Sequence, residues 1–170
     1  MKRSGIPPGI GSDTLLLQMQ VKNKYVVVEL ASLNWPSATR IPSRRFRLFV
    51  AANTTSSTTE AIGQFANAAL KAGMVYFSAW GPGCERFHDL VDEVIVADNI
   101  ASRLFTGPNK TDTIMTTWHQ HETLDEACDF FINLGAPTAG FEADSYYWVA
   151  ICVNNSQWAA TMRRKLELAD

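Results

Sequence analysis

Cys84 and His88 stand four residues apart, and His119 and His121 are the only other histidines. On a helix, residues four apart share a face. A thiolate beside an imidazole is the minimum for nucleophilic catalysis, and Glu85 or Asp89 is available to orient the ring. Cys84 follows Gly81-Pro82-Gly83 and opens a predicted helix, where the dipole lowers a thiol pKa. The catalytic candidates are therefore Cys84, His88 and His119, and together they would define a cysteine-dependent hydrolase. His119-Gln120-His121 with Cys84 or His88 offers nitrogen and sulfur ligands of the kind zinc takes. His-x-His alone does not specify such a site, and no metal is assigned.

A second cluster is the polar run Asn53, Thr54, Thr55, Ser56 and Ser57. Hydroxyls and free N–H groups at a helix N-terminus attract anions. Trp80, Gly81, Gly83, Trp118 and His121 complete the candidate ligand-binding set, the tryptophans offering rings for stacking. Helix capping alone accounts for Ser57, Thr123 and Ser156 without any ligand.

These residues matter together only if the fold brings them together. Phe46–Ala52, Met74–Ala79, Thr113–Trp118 and Tyr146–Val153 read as strands. Helices are predicted between them. Ser57-Thr58-Thr59-Glu60 and Thr123-Leu124-Asp125-Glu126 are capping boxes. The first opens a helix with Ile62, Phe65, Ala66, Ala69 and Leu70 on one face, ended by Gly73. The second opens one with Leu124, Ala127, Cys128, Phe131 and Leu134 inward, stopped by Gly135 and Pro137. The helix from Cys84 carries Phe87, Leu90, Val91, Val94 and Ile95, and its end is not defined by the pattern. A last helix from about Ser156 places Trp158, Met162 and Leu166 on one side.

Strand and helix thus alternate, which implies an α/β three-layer sandwich on a mostly parallel sheet, flavodoxin-like or Rossmann-like, with right-handed crossovers. Leu15–Val21 and Tyr25–Leu30 suggest an N-terminal edge hairpin. Residues 1–13, with Pro7, Pro8, Gly9 and Gly11, read as a flexible lead, and 14–170 as a single domain. In such a sheet the C-terminal strand ends form the ligand rim. The runs from Asn53, Trp80, Trp118 and Asn154 all fall there.

The loop after the first of these strands resembles the phosphate loop of flavodoxins: Leu48-Phe49-Val50-Ala51-Ala52, then Thr54 to Thr59 and Glu60. That resemblance covers residues 48–66 and implies an FMN or phosphate site, although Ser57 stands where the family has glycine. Across 46–166 the chain resembles a family of small uncharacterised bacterial α/β proteins. The carrying segments are Ser78-Ala79-Trp80-Gly81-Pro82-Gly83-Cys84-Glu85-Arg86 and Thr116-Thr117-Trp118-His119. This likeness implies no activity, and no cofactor is assigned.

Composition narrows the rest. Among 170 residues, 46% are hydrophobic and 19% charged, enough apolar material for a core. A net charge of -2 gives no electrostatic case for nucleic acid. The cluster Arg40, Arg44, Arg45 and Arg47 reads as solvated strand flanks. Three cysteines without paired spacing fit a reducing cytoplasm, with Cys128 and Cys152 as core hydrophobes. The Met1-Lys2-Arg3 start runs into prolines and glycines and then Gln18 and Gln20, so no apolar leader is expected. No stretch approaches the ~20 apolar residues of a membrane span. The expected function is a small-ligand site at the rim, for a nucleotide or other anionic ligand. The alternatives are a non-enzymatic interaction module, which a homodimer would suit, and the cysteine hydrolase.

Overall fold

A computed structural model describes residues 16–22, 24–36, 41, 43–106, 113–142 and 145–168. The expected lead of residues 1–13 lies outside them. The strands are β1 (Leu16–Lys22), β2 (Tyr25–Leu30), β3 (Phe46–Ala51), β4 (Met74–Trp80), β5 (Met115–His119) and β6 (Tyr147–Val153). The helices are α1 (Thr59–Ala72), α2 (Cys84–Thr106), α3 (Leu124–Leu134), α4 (Ala139–Glu142) and α5 (Ser156–Leu168). The sheet has six strands in the order β1-β2-β6-β3-β4-β5. β1 runs antiparallel to β2, and every other neighbouring pair is parallel. The α/β sandwich read from the alternation is the observed fold.

A parallel sheet is buried on both faces, so its strands alternate between two cores rather than between core and water. Val26, Val28, Leu48, Val50, Phe77 and Ile151 face a core shared with α1 and α2. Tyr25, Val27, Phe49, Tyr76, Trp148 and Cys152 face the other, shared with α3 and α5. No helix lies among the described residues between β2 and β3. Leu33, Trp35 and Ile41 from that connection pack on the first core instead, and the Trp35 ring stacks on Phe46 at 5.7 Å.

The ends of the helices depart from the sequence reading in detail. Thr58, not Ser57, caps α1, its side chain accepting from Ala61 N at 3.1 Å. Glu60 receives Gln64 Nε2 at 3.3 Å rather than closing a box. The box at Thr123 and Glu126 forms in full. Leu134 is 66% exposed instead of inward, because α3 ends there. The arginines are not all solvated: Arg47 lies over Trp148 at 4.3 Å and donates to Gly135 O at 3.0 Å, where the negative end of α3 favours a cation. No helix among the described residues is long and apolar enough to cross a membrane.

Candidate functional site

Five parallel strands end at one rim. Leu30 is registered with Val153, Ala51 with Cys152 and Trp80, and Trp80 with His119. β3 and β6 are neighbours whose continuations part. Ala52 N donates to Trp80 O at 3.0 Å and Thr54 N to Pro82 O at 2.9 Å, so the tail of β3 leans on β4. Asn154 N donates to Leu30 O at 2.8 Å, so the tail of β6 leans on β2. α1 then packs on one face and α5 on the other. The gap is a crevice of about 460 Å³. It lies at the topological switch point, where open α/β sheets bind ligands.

Ala52 and Val153 line its base, with Ala31, Ser32 and Leu33 contributed by the end of β2. The β3 loop supplies Asn53, Thr54 and Ser57, and the β4 loop Pro82. Asn154, Asn155 and Trp158 line the other side. Asn154 adopts φ 51°, a conformation asparagine tolerates better than most residues. Asn155 Oδ1 accepts from Trp158 N at 3.0 Å, starting α5. The Trp158 ring is held edge-on against Trp80 at 5.0 Å, and Trp80 Nε1 donates to Glu122 O at 2.8 Å.

The expected rim residues therefore divide. Asn53, Thr54 and Ser57 line the crevice. The Thr54 hydroxyl is committed to Gly83 O at 3.0 Å, and that of Thr55 to Asn53 Oδ1 at 2.7 Å. Ser56 is exposed. Gly81 and Gly83 have φ of 111° and 83°, and their bare backbones press on the β3 loop. A Cβ at Gly81 would sit 2.5 Å from Ala52 O. Arg86 ties the two loops together, donating to Ser57 O at 3.0 Å and to Thr59 Oγ1 at 3.1 Å.

Among the described residues no hydrogen bond joins the Cys84 thiol to an imidazole ring. Cys84 is 1% exposed and belongs to the core under α1 and α2. Burial pushes its thiol pKa up, against a smaller downward pull from backbone hydrogen bonds led by that of His119. A buried thiol kept protonated is a poor nucleophile. His88 binds elsewhere: Nε2 is 2.9 Å from Thr116 Oγ1, Nδ1 is 3.1 Å from Asp89 Oδ1, and the ring lies 4.4 Å from Trp118. Thr116 donates on to Asp92 at 2.7 Å, so its oxygen receives the Nε2 proton. His119 is on the other face, 4.7 Å from Phe130 of α3, with Nδ1 3.5 Å from Glu122 Oε1. Burial lowers its pKa, opposed by Glu122. Its Nε2 is buried and has no partner among the described residues. His121 and Trp118 are exposed, away from the crevice lining. Among the described residues no group of His, Cys, Asp and Glu could hold a metal ion.

Sequence reasoning missed Ala31, Ser32, Leu33, Ala52, Val153 and Trp158 as site residues, and it placed Pro82, Asn154 and Asn155 on the rim without assigning them to the site. The signal for β2 was present. Val26-Val27-Val28 is apolar on both faces, which marks an interior strand rather than an edge.

Fold and rim together define the class: an open, largely parallel α/β sandwich with a crevice at its switch point. The chain belongs to the family DUF7684, a domain of unknown function, whose match covers residues 28–167. No curated protein and no solved structure matches it.

Proposed function

We propose that the chain is a small-ligand-binding α/β domain whose site is the crevice between the β3 and β6 loops. The carrying observation is the coincidence of a cavity of about 460 Å³ with the strand ends where the chain changes direction. The size suits a nucleotide-sized molecule. The first turn of α1 opens beside Ser57, and its free N–H groups favour an anionic or oxygen-bearing end of the ligand. The hydroxyl-rich loop after β3 keeps the likeness to a flavodoxin phosphate loop as support. The reading is one of binding: among the described residues, the crevice lining holds no cysteine, histidine or carboxylate. A thermal-shift screen with nucleosides, nucleotides, FMN and phosphate tests it. The reading expects stabilisation by at least one of them, abolished by Asn154→Trp, which fills the crevice. Stabilisation retained in that variant counts against it.

The interaction-module reading has one observation in its favour. Val96 and Ile100 on α2 are exposed, as are Met115 and Trp118 on the edge strand β5 beside it. Unpaired strand edges with apolar neighbours invite pairing. Light scattering distinguishes the cases: a dimer split by Val96→Glu supports pairing there, and a monomer at all concentrations removes it.

A further inference from the structure

Among the described residues, no charged side chain lines the crevice. Its polar groups are the carboxamides of Asn53, Asn154 and Asn155 and the hydroxyls of Ser32 and Ser57, and its aromatic wall is Trp158. The hydroxyl of Thr54, also in the lining, is spent on Gly83 O, and that of the neighbouring Thr55 on Asn53 Oδ1. The guanidinium of Arg86, outside the lining, donates to the carbonyl of the lining residue Ser57 and to Thr59 Oγ1.

Charge taken from water into such a site must be compensated, or binding bears the desolvation cost. One guanidinium and the first turn of α1 can compensate a single anionic group near Ser57. Among the described residues, the lining offers no charge to compensate a second or third. Asn53 Oδ1 already accepts from Thr55 and Asn155 Oδ1 from Trp158 N, so these two carboxamides offer the ligand mainly their Nδ2 donors, while that of Asn154 can both donate and accept. Such a mix matches vicinal hydroxyls and the edges of nucleobases. An indole beside them suits the flat apolar face of a ring.

We infer that the ligand is a hydroxylated ring compound of low charge, a nucleoside or a sugar with at most one anionic group, and not a di- or triphosphate. The inference rests on the crevice being a ligand site. Its test is a titration of the full chain followed by the amide resonances of Asn53, Asn154 and Asn155 and the indole resonance of Trp158. Two pairs of probes are used: adenosine against ATP, and glucose against glucose 1,6-bisphosphate. At least one neutral member is expected to shift these resonances, with its polyanionic partner binding about tenfold more weakly or worse. The affinity of the neutral member should change little with added salt. If a polyanion moves the same resonances at lower concentration than its neutral partner, the low-charge inference is overturned and the crevice stands as a site. If no probe moves them, both fail.

Discussion

The Cys84 thiol meets the backbone of His119, not its ring, and burial moves both side chains away from their charged forms. Cys84 is therefore expected to react with iodoacetamide at pH 7 more slowly than free cysteine, read by mass spectrometry of the native chain. Labelling faster than free cysteine would restore an activated thiolate. Cys128 and Cys152, with thiol pKa values pushed up to about 12 and about 11 mainly by burial, should resist as well. His119 contributes to pH dependence with a defined sign. Its folded pKa lies below the ordinary 6.5, so below that pH the unfolded chain binds the extra proton. Stability is then full above about pH 6.5 and declines as the pH falls through the window down to the folded value. Denaturant melts of wild type and His119→Gln across pH 7 to 5 check this. The variant should show the shallower decline, and parallel curves would contradict the assignment. The residue types at the rim were legible in the sequence. Their commitments were not: that Thr54 serves Gly83, or that His88 serves Thr116 and Asp89, depends on partners up to tens of residues away.

Turns and caps carry the next scale. Gly81 and Gly83 let the β4 loop lie directly against the β3 loop, and both need a left-handed backbone. Gly81→Ala adds a Cβ in contact with Ala52 O and strains φ, at a cost of about 2 kcal/mol. It should lower the melting temperature and disturb the amides of Ala52 and Asn53, whereas an unchanged melt would mean the loops do not depend on that approach. Thr123→Ala removes the cap of α3 and should cost about 1 kcal/mol by chemical denaturation. Helical spacing predicted α1 and α3 well because their buried stripes, such as Ile62, Phe65, Ala66 and Ala69, are unbroken. It misplaced the cap of α1 by one residue because Ser57 and Thr58 are chemically alike, and only backbone geometry separates them. Leu134 kept the spacing but lies at the last position of α3, beyond the sheet it would have packed against.

At the scale of the whole molecule, the site follows from strand order. β-α alternation announced a parallel sheet, and the chemistry-bearing turns do share its rim. What alternation cannot say is which strands become neighbours. β6 inserts between β2 and β3, and that insertion opens the crevice and brings Ser32 and Leu33 to it. The antiparallel hairpin of β1 and β2 was readable, but its second strand is interior, so a fifth strand end joins the four that were expected. The same order sends the His88 and His119 rings to opposite faces of the sheet, whereas Asn53, Thr54 and Ser57 share the crevice.

The most direct measurement is a fragment library screened against the labelled chain, with binding mapped by amide and indole shifts. The account predicts that hits concentrate on Asn53, Ser57, Asn154, Asn155 and Trp158. Hits gathered on the β5 edge around His88 and Trp118, with the crevice resonances unmoved, would contradict it.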